Sequence, residues 1–321
     1  MDTLTTFDKI FAADVKEGLL SNPKRLSSKY FYDKKGSELF QQIMRMPSYY
    51  PTDLEYEIFR DQKADILKHF SEGTDSFQLI EFGAGDGLKT KILLEHFLDR
   101  GADFSYSPID ISESAVVNLR QDLANKWPTL NLNPFIGDYF KALEVYKEKS
   151  EERKAVLFLG SNIGNFQEKD ALSFLSSLGN GLNTGDKLLI GFDLKKDPKV
   201  ILEAYNDPEG ITREFNLNLL DRMNRELGAN FDRNSFIHAP LYNPLTGETK
   251  SYIVSTEIQK VHFSCMDLTV EFDAWEAIWT ELSQKYDYKT IERYAEKSGF
   301  KVKAHLTDAK GWYVDSIWEK K

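Results

Sequence analysis

The chain of 321 residues holds one cysteine, Cys265. A single thiol excludes an internal disulfide and a cysteine-based zinc site. Histidine is nearly as sparse: His69, His96, His238, His262 and His305 are scattered without the spacing of a ligand set, so no metal is expected. No apolar run approaches the roughly 18–20 residues that crossing a bilayer takes. The opening stretch, MDTLTTFDKIFAADVKEGLL, lacks the basic start and apolar core of a signal peptide. A cytoplasmic protein is expected. Positive charge is also short, with 41 Lys and Arg against 51 Asp and Glu, a formal net charge of -10. Phosphate backbones are bound by clustered Lys and Arg, so nucleic acid is not an expected partner, and neither is a membrane. The expected partner is a small molecule, and a monomer is compatible with this composition. What is present is ample apolar material, 41% of residues, enough for one large domain or two ordinary ones.

The most informative stretch is LIEFGAGDGLKTKILLEHFL, residues 79–98. A buried-looking strand over 79–82 runs into Gly83, Gly85 and Gly87, and a helical pattern follows with Ile92, Leu93, Phe97 and Leu98. Strand, glycine turn and helix together form a nucleotide cradle, because glycine adopts dihedrals closed to other residues and lets backbone approach a ligand. The dinucleotide fingerprint wants a third glycine three positions after the second, and that position is Leu88. The spacing favours the form found in methyltransferases; a tight turn without a ligand is the alternative.

Strands and helices then alternate. Strands are expected over 104–112, 130–138 and 185–194, a buried strand opening into a loop over 154–166, and helices over 113–127 and 168–178. Alternation of this kind predicts a parallel, doubly wound sheet. Residues 1–51 read as irregular. A helix is predicted from Thr52, with Thr52 and Glu55 forming a capping box. After about residue 195 the pattern changes to helices, with Gly228 as a stop, and to alternating antiparallel strands. Residues 301–320 read as two strands joined by a turn at 308–311. Five parallel strands closed by an antiparallel hairpin are typical of S-adenosylmethionine-dependent methyltransferases, whereas a nicotinamide-binding sheet is usually parallel throughout.

Acids stand at the strand ends. Asp110 is placed to accept both ribose hydroxyls of a nucleoside, or else to cap the helix after Ser112. Asp138 follows the third strand, where an acid can accept the adenine amino group with Tyr139 against the ring. Ligands in open α/β sheets lie outside the carboxyl ends of the strands, so these positions reinforce one another.

With those residues in place, the chain resembles the histidine Nα-methyltransferase family of ergothioneine biosynthesis. The carriers are KYFYDKKGSELFQQIMRMPSYYPT (29–52), FLGSNIGNF (158–166), LKKDPKVILEAYND (194–207), FNLNLLDRMNRELGANFD (215–232) and WTELSQKY (279–286). The resemblance implies a class I, Rossmann-like methyltransferase domain over 60–195 and 287–321, and a smaller α+β substrate-binding domain over 1–59 and 196–286. It implies that Gly83, Gly85, Lys89, Asp110, Asp138 and Tyr139 contact S-adenosylmethionine. It puts Tyr49, Asn165 and Tyr205 on the amino and carboxylate groups of the amino acid, and Glu281 and Ser283 on the imidazole. Tyr32 and Phe40 would close the pocket, with Asn165, Tyr205 and Tyr32 nearest the chemistry. Two departures stand out: the family's glycine loop usually has serines and a glutamate where this chain has GAGDGLKT, and Ser251 stands near a position that is often methionine.

The expected reaction is methyl transfer to the α-amine of L-histidine, carried to the trimethylated product hercynine. In-line displacement needs a neutral nitrogen held about 3 Å from the methyl carbon, with neither a metal nor a covalent nucleophile. The open alternatives are the same reaction on another amino acid or a histidine-like amine, a non-catalytic S-adenosylmethionine-binding protein, and a nicotinamide-dependent oxidoreductase.

Overall fold

In the computed structural model, which describes residues 6–149 and 151–321, the N-terminal fifty residues are more regular than their sequence suggests. Helix α1 spans Thr6–Leu20 and α2 spans Lys34–Ile43. Phe11, Val15 and Leu19, four residues apart, form the buried face of α1. That spacing was the available signal. Asp33 caps α2 by accepting the Gly36 N–H at 2.7 Å. Only glycine fits at 36, since a Cβ there would lie 1.7 Å from the Phe31 carbonyl oxygen. Helix α3, Tyr50–Phe70, starts two residues before the expected box. The capping box is not the role of Glu55, whose side chain is wholly buried and bonded to distant partners.

Strands β1 (Ser76–Phe82), β2 (Asp103–Asp110), β3 (Asn131–Leu132), β4 (Phe135–Ile136), β5 (Arg153–Phe158) and β6 (Lys187–Asp193) follow. Interleaved with them are α4 (Thr90–Asp99), α5 (Glu113–Lys126), α6 (Tyr139–Lys149) and α7 (Glu168–Asn180). The single strand expected over 130–138 is broken into β3 and β4 at Pro134, which has no N–H to donate to a ladder. Next come α8 (Pro198–Tyr205), α9 (Ile211–Leu227), β7 (Phe236–Asn243), β8 (Glu248–Ser255), β9 (Gln259–Phe263), β10 (Leu268–Phe272) and β11 (Ala277–Gln284). The chain ends with α10 (Tyr288–Lys297), β12 (Phe300–Thr307) and β13 (Tyr313–Lys320).

The large sheet has the order β12-β13-β6-β5-β1-β2-β3, with β4 also on β2. Strands β1 to β6 run parallel, while β13 lies antiparallel to β6 and β12 antiparallel to β13. This is the expected parallel sheet with a terminal hairpin. From β1 the chain builds outward through β2 on one side, then crosses to β5 on the other. The switch point therefore lies between β1 and β5, where open α/β sheets bind ligands. Burial along both faces explains the apolar runs of β5 and β6, and β1 is equally buried although it carries Gln78 and Glu81.

The chain divides into two units. One combines Pro51–Lys195 with Gln284–Lys321; the other combines the described residues up to Tyr50 with Lys196–Ser283. Residues 51–59 and 284–286 thus fall with the large sheet, not with the smaller unit as expected. The reason is bonding: Gln62 Nε2 of α3 donates to the Thr307 carbonyl at 2.8 Å, and Glu57 accepts the Ala309 N–H at 2.8 Å. Lys285 forms a fully buried ion pair with Asp193 of β6 at 2.8 Å. In the smaller unit, β11-β8-β7 and β10-β9 form two antiparallel sheets. Helices α1, α2 and α9 share one apolar core with them, built on Phe11, Phe31, Phe215, Phe236 and Phe272. Gly228 stops α9 in the left-handed conformation, with φ 59°, as its sequence position predicts.

Among the described residues no helix is long and apolar enough to cross a membrane. Nor, among them, does any group of three or more His, Cys, Asp or Glu side chains have an arrangement that could hold a metal ion.

Candidate functional site

In the sheet unit, the switch point is flanked by the loop after β1 and the loop after β5. Gly83, Gly85 and Gly87 take φ of 70°, 55° and 64°, which side chains rarely adopt. At Gly85 the place a Cβ would occupy is open, and at Gly83 it would lie 3.1 Å from the Tyr139 hydroxyl. At Gly83 and Gly85 the loop therefore presents backbone alone. Asp110 ends β2 and accepts the Gly85 N–H at 3.2 Å and the Ser112 N–H at 2.9 Å. The capping alternative for Asp110 belongs to Ser112, whose hydroxyl accepts the Ala115 N–H at 3.3 Å.

Asp138 is exposed, and its Oδ1 caps α6 through the Phe140 and Lys141 N–H groups at 3.0 and 3.1 Å. Its other oxygen takes no part in that cap. The Tyr139 ring stacks on Phe82 at 4.6 Å and 5°. Burial, then the charges of Asp110 and Asp138, pushes the Tyr139 phenol up to about 12. It is a neutral donor at ordinary pH. Lys89 opens α4 and is ion-paired to Glu55. Burial favours its neutral form, but the Glu55 charge and hydrogen bond outweigh that and hold the ammonium above its usual range.

On the β5 side, Ser161 takes the left-handed conformation (φ 53°) and leads into a short turn, Asn162–Asn165. Ser161 Oγ accepts the Asp193 N–H at 2.9 Å, and the Tyr286 hydroxyl donates to the Ile163 carbonyl at 3.1 Å. These bonds hold the turn, and the exposed Asn165 at its end is left to face outward.

Sequence reasoning missed Glu81. It is buried on β1, accepts from Thr90 Oγ1 at 2.7 Å and from the Tyr106 hydroxyl, and so ties the loop exit to β2. Burial pushes its carboxyl up to about 7, against the hydrogen bonds from Tyr106 and Thr90 and the Lys89 charge. An acid whose folded value is raised contributes stability fully below the ordinary glutamate range. That contribution is lost as pH rises through about 7. Glu81→Gln is accordingly expected to flatten the decline in stability between about pH 5 and about pH 8, by on the order of 2–3 kcal/mol. Scanning calorimetry at several pH values checks this; parallel wild-type and variant profiles would be inconsistent with it.

In the smaller unit, β11 is extended, so Glu281 and Ser283 share one face while Leu282 points into the core. The Tyr205 hydroxyl at the end of α8 donates to Ser283 Oγ at 2.7 Å. Ser251 Oγ, on the neighbouring β8, lies 3.5 Å from Glu281 Oε2. Tyr32, Phe40 and Tyr49 form an edge-to-face aromatic chain at 5.4 and 6.4 Å. Phe215 of α9 joins it, 5.8 Å from Tyr32 and 5.9 Å from Phe40, a residue the sequence reading does not single out. The Tyr32 ring is half exposed while its hydroxyl end is desolvated. Burial of that end, followed by the Glu281 and Tyr205 oxygens, raises the phenol well above its ordinary range. Behind Tyr32, Asp33 is held by Asn218 Nδ2 at 2.9 Å and by Arg225 at 2.5 Å.

The sheet unit thus gathers Gly83, Gly85, Lys89, Asp110, Asp138, Tyr139 and Asn165 at the ends of its strands. The smaller unit gathers Tyr205, Ser251, Glu281 and Ser283, with Tyr32, Phe40 and Tyr49 in one aromatic group. A bare glycine loop, a carboxylate at the β2 end and an ammonium at a helix N-terminus suit a nucleoside that carries a charged amino-acid tail.

The chain matches, over residues 11–320, the family model described as histidine-specific methyltransferase, SAM-dependent. It is 35% identical to the histidine N-alpha-methyltransferase of Mycobacterium tuberculosis over 96% of this chain and 94% of that one. It is likewise 35% identical to the histidine N-alpha-methyltransferase of Mycolicibacterium smegmatis, over 93% and 91% of the two chains. A solved S-adenosylmethionine-dependent methyltransferase from Clostridium acetobutylicum superposes with a TM-score of 0.45 at 11% identity, over 89% of this chain and 98% of that one.

Proposed function

The chain belongs to the histidine-specific, S-adenosylmethionine-dependent methyltransferase family, and from that membership we propose that it methylates the α-amine of L-histidine, up to the trimethylated product. The observation that carries the choice of substrate is the polar set on β11, where Glu281 and Ser283 share a face and Ser283 is bonded to Tyr205. A carboxylate accepts one imidazole N–H, and a hydroxyl serves the other ring nitrogen. Leucine or phenylalanine offers that carboxylate no N–H and forfeits a hydrogen bond to a charged group, worth about 1.5–3 kcal/mol.

S-adenosylmethionine supplies an electrophilic methyl group on a sulfonium. In the sheet unit, Gly83 and Gly85 admit the donor against bare backbone, Asp110 takes the ribose hydroxyls, and Lys89 takes the carboxylate. Asp138, through the oxygen not used in capping, takes the adenine amino group, with Tyr139 beside the ring. Asn165 orients the amine, its amide offering both donor and acceptor. In the smaller unit, Tyr49 and Tyr205 hold the amino acid's carboxylate end, and Tyr32 and Phe40 exclude water.

The accepting amine must be neutral, so its proton leaves before transfer. Tyr32 is held protonated and acts as a donor, not as that base. Neutral Asn and Tyr contacts tolerate an amine that gains methyl groups and loses N–H bonds, which a tight salt bridge would not. A cytoplasmic location belongs to the same proposal.

The same reaction on another amino acid is a second reading, favoured by Ser251 beside Glu281, where the family often has methionine. Mass spectrometry of the protein incubated with S-adenosylmethionine and an equimolar mixture of the twenty amino acids separates the two. Histidine gaining one, two and three methyl groups is expected. Methylation of a different amino acid would overturn the roles of Glu281 and Ser283 and keep the chemistry. No methylated product at all would favour a non-catalytic donor-binding protein.

A further inference from the structure

A buried ionic cluster lies in the sheet unit behind the glycine loop. Glu55, carried inward by α3, accepts the Gly160 N–H at 2.9 and 3.1 Å through its two oxygens, and the Tyr313 hydroxyl at 2.8 Å. It also holds the Lys89 ammonium. Gly191 of β6 makes the space, since a Cβ there would lie 2.4 Å from both Glu55 Oε1 and the Tyr313 hydroxyl. Asp315 of β13 is fully buried too, and among the described residues neither of its carboxylate oxygens has a hydrogen-bond partner.

An orphaned, wholly buried carboxylate is costly, so its presence needs a reason. Two ionised carboxylates both accept, and a bond between Asp315 and Glu55 forms only when one carries a proton. Asp315 Oδ1 and Glu55 Oε1 both border the place of a Gly191 Cβ, at 3.2 and 2.4 Å, and burial, then the Glu55 charge, raises the Asp315 carboxyl well above the usual range against the opposing pull of Lys89, which favours the proton on Asp315. Asp193 on β6 is already neutralised by Lys285, and Glu81 on β1 is bonded to Thr90 and Tyr106. The cluster of Glu55, Lys89 and protonated Asp315 is then electrically neutral, which its burial requires.

We propose that Glu55 is a positioning residue for the methyl donor. It fixes the Lys89 ammonium and the Gly160 amide at the carboxyl ends of β1 and β5, leaving the remaining Lys89 N–H bonds to meet the donor's carboxylate. Asp315 donates to Glu55 from behind and holds that carboxylate in place. This assignment rests on the donor site described under the proposed function.

Calorimetric titration of the full chain with S-adenosylmethionine tests it, below the melting temperature of each variant. Glu55→Gln is expected to raise the donor Kd at least about tenfold, while kcat at saturating donor stays within about threefold. A lowered melting temperature with an unchanged Kd would reduce Glu55 to a structural residue and overturn the proposal. Lys89→Met, alone and combined with Glu55→Gln, gives a second measure. Action through Lys89 predicts a double variant that binds within about threefold of Lys89→Met alone, and additive losses would overturn it.

Should Glu55→Gln fail to fold, the Asp315 variants decide. Asp315→Ala is expected to weaken donor binding about fivefold or more, and Asp315→Asn, which keeps a donor toward Glu55, to recover at least half of that loss. Equal losses in the two variants, or none in either, would overturn the proposal. A wild-type chain that bound no S-adenosylmethionine would instead overturn the donor site itself.

Discussion

Glu281→Ala is expected to lower kcat/KM for histidine by roughly 30- to 150-fold, the equivalent of about 2–3 kcal/mol for a hydrogen bond to a charged group. The loss falls on recognition of the side chain. The Glu281 carboxylate lies 3.5 Å from Ser251 Oγ, and its main-chain carbonyl accepts the Trp279 Nε1–H at 2.7 Å. The second bond survives truncation, so the strand is expected to keep its place and the variant to melt within a few degrees of wild type. Donor affinity is expected to stay within about twofold, because Glu281 belongs to the smaller unit and the glycine loop to the sheet unit. Glu281→Gln, retaining an acceptor oxygen without the charge, should fall between the two. Steady-state kinetics and donor titration measure all of this. A collapse of donor affinity in Glu281→Ala would mean that Glu281 serves the cofactor and not the imidazole.

Asp110→Ala has the opposite signature. Its carboxylate is expected to take both ribose hydroxyls while it holds the Gly85 and Ser112 amides. Two charge-assisted bonds are lost and the loop is loosened at once, so the donor Kd should rise about 100-fold or more. Asp110→Asn keeps one acceptor and should lose less. The competing account, in which Asp110 merely starts the helix, makes a different prediction. Ser112 already caps α5 through Ala115, so on that account truncation would cost about 1 kcal/mol of stability and leave the Kd unchanged. Titration of the folded variant distinguishes the two in one measurement.

Much of the architecture is legible in the sequence because the signals are local. The apolar runs of β5 and β6 report strands buried on both faces. Glycine at 83, 85 and 87 reports a left-handed loop, and each of the three does have positive φ. The turn at 308–311 reports the closing hairpin, which is present as β12 and β13. The spacing of two between Glu281 and Ser283 reports a shared face once the segment is known to be extended. Residues 1–51 read as irregular, yet two helices form there, and the spacing of Phe11, Val15 and Leu19 is the helical repeat that marks the first. The missing N–H of Pro134 is likewise a local signal for the break between β3 and β4.

Glu55 is the instructive failure. Beside Thr52 it matches the pattern of a capping box, a pattern built on residues three apart. Its actual partners are Lys89, Gly160 and Tyr313, the last 258 residues away in the chain. Glu81 is similar: alternation marks it only as one residue in an apolar strand, while Thr90 and Tyr106 give it a role.

The sequence by itself therefore determined the alternation of strands and helices, the glycine loop, the parallel sheet with its terminal hairpin and the family, since each is written in contiguous residues or in long matching strings. Only the tertiary structure decided which carboxylates are buried, which are pushed above their usual range, and that α3 belongs with the sheet. Burial is a property of neighbours brought together from distant parts of the chain, and the charge of an acid follows the dielectric and the partners it meets there.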